Sequence, residues 1–132
     1  MGRQVLLIED EPNITEAIRF LLTRDGWQVA THADGGNAVD VIRAIRPDLV
    51  ILDVMLPGKS GIDIVRDLRE IEQLRTLPVL MLTARGQLRD REMAERAGVT
   101  RFMTKPFSNS ELLAALDEIA AGRAGDVAAG GA

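Results

Sequence analysis

The sequence contains no cysteine, no tyrosine, one tryptophan and three phenylalanines among its 132 residues. Without cysteine the protein cannot form disulfide bonds or use thiolate chemistry. So few aromatic residues cannot build the stacking surfaces that bind single-stranded nucleic acid. The net charge of −4 also argues against non-specific binding to nucleic acid.

Long hydrophobic runs are missing from the sequence as well. The N-terminal apolar run, residues 5–8, is followed at once by Glu9, Asp10 and Glu11, so it is too short for a signal peptide or a membrane-spanning helix. We therefore expect a cytoplasmic protein that makes no membrane contact. The composition, 46% hydrophobic and 27% charged, is typical of a globular domain with a buried core.

Short apolar runs alternate with stretches of helical periodicity along the chain. The runs predict five strands, at residues 5–8, 27–31, 49–52, 79–82 and 101–104. Apolar residues spaced three and four apart predict helices at residues 14–22, 38–45, 62–71, 88–97 and 108–119. Ser108 and Glu111 have the spacing of a capping box at the start of the last helix.

Five strand-helix units in succession favour one fold class. Right-handed crossovers place helices on both faces of a parallel sheet, so we expect an α/β domain with a doubly wound, five-stranded parallel sheet. The domain is predicted to span residues 1–121. Residues 122–132 have no periodicity and are predicted to form a flexible tail.

Polar residues stand where the predicted strands end. Glu9 and Asp10 follow the first strand, Asp53 ends the third, Thr83 ends the fourth, and Lys105 lies just beyond the fifth. The carboxyl ends of parallel strands meet at one edge of a sheet, where ligands bind in such folds. We therefore expect three acids, a hydroxyl and a lysine to gather at that edge.

This group of residues favours phosphoryl chemistry. Three close carboxylates repel each other unless a cation lies among them, and oxygen ligands without histidine or cysteine favour Mg²⁺. One carboxylate could act as a nucleophile towards phosphorus. The metal and the lysine would then neutralise the phosphoryl oxygens, and the hydroxyl could donate to one of them.

Four segments of the sequence carry the resemblance to a known family. They are residues 6–12 (LLIEDEP), 47–61 (PDLVILDVMLPGKSG), 78–84 (PVLMLTA) and 105–107 (KPF). Together they make the chain, over residues 4–121, resemble the receiver domain of two-component response regulators. The resemblance implies a flavodoxin-like (βα)5 fold with strand order 2-1-3-4-5.

The resemblance also implies roles for the strand-end residues. Asp53 would accept a phosphoryl group from a histidine kinase or a histidine phosphotransfer protein, and Thr83 and Lys105 would contact that group. The Lys105–Pro106 peptide bond is expected to be cis. Such a domain is not a classical enzyme, since it only assists its own phosphorylation and slow dephosphorylation.

A magnesium site is the second implication of the resemblance. Glu9, Asp10, Asp53 and the backbone carbonyl of Met55 would bind Mg²⁺. In this family the residues two after the acceptor aspartate and two after the threonine flank the path of the attacking water. Here these residues are Met55 and Arg85, whose bulk predicts slow loss of the phosphoryl group.

A conformational switch is the third implication. Thr83 would move towards the phosphoryl group, and Phe102, three residues before Lys105, would enter the space that Thr83 leaves. Phe102 could equally be a core residue of the last strand, and the two roles are compatible. The message would pass to a downstream protein through the fourth helix, the fifth strand and the fifth helix, without direct nucleic-acid binding.

The sequence leaves several functions open. A stand-alone receiver, a phosphorelay intermediate and a receiver from a longer regulator, such as a transcription factor or an output enzyme, all fit the motifs. From the length of 132 residues we expect no DNA-binding domain in this chain. A Mg²⁺-dependent aspartyl phosphatase is a remote alternative, because Met55 stands where such enzymes of the haloacid-dehalogenase type have a second carboxylate.

Overall fold

The computed structural model describes residues 3–84 and 88–130. Within these ranges the strands are β1 (Gln4–Ile8), β2 (Gln28–His32), β3 (Leu49–Asp53), β4 (Val79–Thr83) and β5 (Arg101–Thr104). The helices are α1 (Pro12–Arg24), α2 (Ala38–Ile45), α3 (Gly61–Glu70), α4 (Leu88–Ala97) and α5 (Asn109–Gly130), with a short 3₁₀ helix at Glu72–Leu74.

The strands form one parallel sheet in the order β2-β1-β3-β4-β5. The chain starts in the middle of the sheet, adds β2 on one side, and then crosses back to build β3, β4 and β5 on the other. This order confirms the doubly wound, five-stranded parallel fold. The reversal of direction lies between β1 and β3, which places a ligand-binding crevice at their carboxyl ends.

The three central strands are buried on both faces, which explains their uninterrupted apolar sequences. Every residue of β3 and β4 is buried. Alternate residues point to opposite faces of the sheet. The side chains of Leu6, Ile8 and Leu52 therefore belong to one core cluster, and those of Leu7 and Ile51 belong to the other.

The start of β2 differs from the prediction by one residue. Trp27 was expected to begin the strand, but it lies in the turn after α1, where its backbone N–H donates to the carbonyl of Leu22. Gly26 precedes it with a φ of +97°, which a residue without Cβ adopts at little cost. Trp27 is buried, and the guanidinium carbon of Arg3 lies 4.4 Å from its ring centroid.

The last helix begins with the predicted capping box. Ser108 Oγ accepts a hydrogen bond from the N–H of Glu111 at 3.1 Å, and Glu111 Oε1 accepts one from the N–H of Ser108 at 3.2 Å. The helix continues to Gly130, where the sequence predicts a tail from residue 122. This segment contains as many glycines, which disfavour helix, as alanines, which favour it, and the division into domain and tail stays a prediction.

None of the helices in the described ranges combines the length and the apolar character that crossing a membrane requires.

Candidate functional site

The sheet brings three carboxylates together at its carboxyl edge. Asp53 is the last residue of β3, and Glu9 and Asp10 directly follow β1, the neighbouring strand. One carboxylate oxygen from each residue lies within 4.8 Å of the others. Glu9 and Asp53 are buried, whereas Asp10 is exposed. The predicted acidic cluster is therefore formed, with one side open to solvent.

Lys105 reaches this cluster from the end of β5. Its Nζ lies 2.8 Å from Asp53 Oδ2 and 2.9 Å from Glu9 Oε1. The backbone N–H of Lys105 donates to the carbonyl of Thr83 at 2.6 Å, which continues the pairing of β4 and β5 by one residue. The Lys105–Pro106 peptide bond is cis. One ammonium group thus bridges the two buried carboxylates.

The second oxygen of each buried carboxylate accepts a backbone hydrogen bond. Asp53 Oδ1 accepts from the N–H of Met55 at 3.0 Å, and Glu9 Oε2 accepts from the N–H of Glu11 at 3.2 Å. Both carboxylates are therefore held at two points, by Lys105 on one side and by the following loop on the other. Buried polar groups need such partners, since an unpaired one costs about 1–3 kcal/mol.

Burial and repulsion set the charge state of the site. Burial raises the pKa of Glu9 above its usual 4.5, and the neighbouring charge of Asp53 adds to this against the opposing bond from Lys105. For Lys105, burial alone would lower the pKa, but the hydrogen bonds to Asp53 and Glu9 outweigh it and the net direction is upward. The lysine is thereby kept charged, while the ionised form of Glu9 is less favourable than usual.

The donor set fits a hard divalent cation. With all groups ionised, the carboxylates of Glu9, Asp10 and Asp53 exceed the single charge of Lys105 by two negative charges, which one Mg²⁺ ion would balance. All three acids offer oxygen, the ligand that Mg²⁺ prefers, and the exposed Asp10 leaves room for the waters that this ion retains. These residues could therefore hold Mg²⁺.

Of the remaining predicted residues, Thr83 and Met55 lie at this edge. Thr83 is the buried last residue of β4, and the side chain of Met55 is exposed just beyond Asp53. Phe102 lies half-buried on β5, packs against the core, and has the guanidinium carbon of Arg91 at 5.9 Å from its ring centroid. Arg85 lies outside the described residues.

The sequence did not predict the two backbone donors, the N–H groups of Met55 and Glu11. No side-chain pattern could have indicated them, because every residue except proline carries the same amide donor. The predicted role of Met55 was that of its carbonyl oxygen. The structure adds a hydrogen bond from its N–H group to Asp53 Oδ1, while the role of its carbonyl stays a prediction.

A parallel sheet of order 2-1-3-4-5 with an acidic cluster and a lysine at its carboxyl edge defines the class of receiver-type signalling domains. Residues 5–117 match the family described as the response regulator receiver domain. The chain belongs to this family, whose members act in two-component signalling and are not classical enzymes.

One curated relative is longer than this chain. The chain is 40% identical over 119 residues to the phosphate regulon transcriptional regulatory protein PhoB of Escherichia coli, covering 90% of this chain and 52% of PhoB. The chain thus spans about half the length of this curated relative.

Two solved structures have the same fold over nearly their whole length. The chemotaxis protein CheY4 of Vibrio cholerae has a TM-score of 0.84 and 29% identity, with 90% of this chain and 99% of that chain covered. The receiver domain of the sensor histidine kinase PA1611 of Pseudomonas aeruginosa has a TM-score of 0.82 and 34% identity, with 89% and 97% covered. That structure contains a magnesium ion coordinated in its active-site cleft.

Proposed function

We propose that this domain accepts a phosphoryl group on Asp53 and signals by phosphorylation-dependent binding to a protein. The observation that carries the proposal is the environment of Asp53. Its side chain is 8% exposed at the end of β3, and its two oxygens are bonded separately to the Lys105 ammonium and the Met55 amide. A carboxylate held in this way at an open crevice is a pre-positioned nucleophile.

In the proposed transfer, an oxygen of Asp53 forms a new bond to phosphorus. The bond between phosphorus and the donor group breaks, and its electron pair leaves with the donor. Lys105, already within hydrogen-bond distance of Asp53, stabilises the negative charge on the phosphoryl oxygens. Thr83, the buried residue at the end of the adjacent strand, supplies a hydroxyl donor to the same group.

Magnesium would be held by Glu9, Asp10, Asp53 and the backbone carbonyl of Met55. The acidic cluster in this chain and the magnesium ion in the PA1611 receiver domain support this assignment. When bound, the ion supplies positive charge that offsets the phosphoryl oxygens and the carboxylates.

The signal itself is proposed to travel through β4 and β5. A phosphoryl group adds roughly two negative charges at the sheet edge. The Thr83 hydroxyl turns towards it, and the half-buried ring of Phe102, one strand away, moves inward. The outcome is a shift between two arrangements of α4, β5 and α5, the face that a downstream protein would recognise.

The proposed donor is a histidine kinase or a histidine phosphotransfer protein in the cytoplasm. Two arrangements of the output remain as alternatives, and the relatives support both. CheY4 matches over 99% of the crystallised chain, whereas PhoB is about twice as long as the matched region. The reading frame of the gene distinguishes a stand-alone receiver from the receiver part of a longer regulator.

The experiment that tests the acceptor is phosphorylation by a small acyl phosphate, followed by intact mass measurement. Wild-type protein with acetyl phosphate and Mg²⁺ is expected to gain one phosphoryl group, and EDTA is expected to prevent the gain. Asp53→Asn should gain none. Equal labelling of wild type and Asp53→Asn would overturn the assignment, and so would the absence of any gain in the wild type.

A further inference from the structure

Two loops meet backbone to backbone beside the acidic cluster. The first, residues 33–37, joins β2 to α2, and the second, residues 54–60, joins β3 to α3. The N–H of Gly35 in the first loop donates to the carbonyl of Pro57 in the second at 2.9 Å. The second loop begins directly after Asp53, so its position bears on the acceptor.

The close approach depends on the absence of two side chains. A Cβ atom on Gly35 would overlap the carbonyl oxygen of Lys59 and lie 3.1 Å from its backbone nitrogen. A Cβ atom on Gly58 would lie 2.7 Å from Asp34 Oδ1 and 2.9 Å from the backbone nitrogen of Gly36. Gly58 also has a φ of +84°, a conformation that side chains disfavour. Most of these neighbours are backbone atoms, so a side chain could be admitted only by moving a loop.

The first loop is itself held in place. The carboxylate of Asp34 accepts a hydrogen bond from the N–H of Gly36 at 3.0 Å, and the carbonyl of Gly35 accepts one from the N–H of Ala38. At its start, the carbonyl of His32 accepts a bond from the N–H of Glu9 at 3.0 Å. This loop therefore forms a fixed support, connected at one end to a member of the acidic cluster.

The position of the second loop affects the orientation of the Asp53 carboxylate. The N–H of Met55 donates to Asp53 Oδ1, and the N–H of Gly61 donates to the carbonyl of Val54 at 2.9 Å. A displacement of residues 57–59 thus shifts the peptide segment that orients the acceptor carboxylate. The same segment carries the carbonyl that is proposed to bind Mg²⁺.

We propose that Gly35 and Gly58 are positioning residues for the site. Because neither glycine has a side chain, the loop of residues 33–37 can pack directly against the loop of residues 54–60. This glycine contact keeps the Met55 N–H in position to donate to Asp53. The inference deepens, and rests on, the proposed phosphoryl transfer to Asp53. It predicts that a methyl group on Gly35 impairs the site, although Gly35 touches neither phosphoryl group nor metal.

The matched control is the neighbouring glycine. A Cβ atom on Gly36 would meet its nearest atoms, the carboxylate oxygens of Asp34, at 3.6 Å, an ordinary contact. Gly35→Ala and Gly36→Ala therefore add the same methyl group to adjacent residues of one loop. Loss of glycine flexibility is common to both, so a difference between them reports the contact with the second loop.

Two readouts test the inference on folded protein. Mg²⁺ affinity is measured by titration of amide signals in NMR spectra, and the phosphorylation rate is measured with acetyl phosphate. We expect Gly35→Ala to weaken Mg²⁺ binding and slow phosphorylation, each on the order of 10-fold or more, while Gly36→Ala stays within about twofold of wild type. A role in stability alone would lower Tm and leave both values unchanged, and that result would overturn the inference.

A third measurement does not depend on how the variants fold. In wild-type protein, hydrogen exchange of the Gly35 and Met55 amides is expected to be slowed together. Exchange of the Gly35 amide at the rate of an unstructured peptide would overturn the inference. If the wild type fails to take up phosphate, the proposed function falls, while Mg²⁺ affinity and hydrogen exchange still test the glycine contact.

Discussion

Lys105 and Asp53 are 52 residues apart in the sequence and are joined by a hydrogen bond of 2.8 Å between Nζ and Oδ2. The same Nζ also donates to Glu9, so one lysine links the carboxyl ends of β1, β3 and β5. The lysine side chain is 17% exposed and the two carboxylates are 1% and 8% exposed.

Replacing the lysine should destabilise the protein in metal-free buffer. Lys105→Gln leaves two buried carboxylates facing each other without a counter-charge, and loss of one member of a buried pair costs about 3–5 kcal/mol. Denaturant unfolding in EDTA measures this change in the free energy of unfolding. Arg19→Gln is the control, because its ion pair with Glu16 is exposed and screened by solvent, and therefore contributes little to stability. Equal losses in the two variants would contradict the account.

The raised pKa of Glu9 predicts a pH dependence of stability. Between the unfolded value of 4.5 and the higher folded value, the folded state holds the proton more tightly. The contribution of Glu9 to the free energy of unfolding therefore falls as pH rises through this interval. Glu9→Gln removes the fall, so the stability of this variant relative to wild type should increase with pH.

Glu16→Gln provides a control of opposite sign. The hydrogen bond and charge of Arg19 lower the pKa of Glu16, so its contribution is present above 4.5 and lost as pH falls. The stability of Glu16→Gln relative to wild type should therefore decrease as pH rises. Urea unfolding from pH 4 to pH 7 in EDTA measures both slopes. If the stability of Glu9→Gln relative to wild type decreased as pH rises, the predicted sign of the Glu9 contribution would be wrong.

The switch residue should separate phosphorylation from signalling. Phe102→Ala removes the ring that packs half-buried on β5 but leaves the residues that surround Asp53. We expect a phosphorylation rate within about twofold of wild type and a much smaller phosphorylation-induced change in the NMR signals of α4, β5 and α5. Phe20→Ala, which removes an exposed ring on α1, should respond as wild type does. A full response in Phe102→Ala would remove this residue from the switch.

The lifetime of the phosphorylated state should depend on Met55. Its side chain is 73% exposed directly beyond the acceptor, where its apolar bulk can keep water from the phosphoryl group. Met55→Asn retains the backbone N–H that donates to Asp53 and replaces only the side chain. We expect phosphate release to accelerate by about tenfold, from a wild-type lifetime of minutes or longer. Unchanged release would count against side-chain control of the lifetime.

Much of the fold was predictable because its signals are local. The buried strands have continuous Val, Ile and Leu runs, and the capping box of α5 appears in the sequence as Ser108 and Glu111. The rule that parallel strands end at one edge of the sheet also predicted that Glu9, Asp53 and Lys105 lie together. These inferences use only neighbouring residues and the geometry of parallel sheets.

Other features depended on which segments meet in space. The bonds from the amides of Met55 and Glu11 involve groups that are the same in almost every residue, so no sequence pattern distinguishes them. The role of Gly35 depends on the loop opposite it, 22 residues further along the chain at Pro57. The displaced start of β2 arose because the turn after α1 uses the N–H of Trp27.

The most direct test of the central claim is chemical localisation of the phosphoryl group. Borohydride reduces an aspartyl phosphate to homoserine, which marks the acceptor permanently for peptide mass spectrometry. After treatment with acetyl phosphate and Mg²⁺, we expect homoserine at residue 53, and none when Mg²⁺ is removed with EDTA. Homoserine at another aspartate, or an unmodified residue 53 in protein that carries phosphate, would contradict the account.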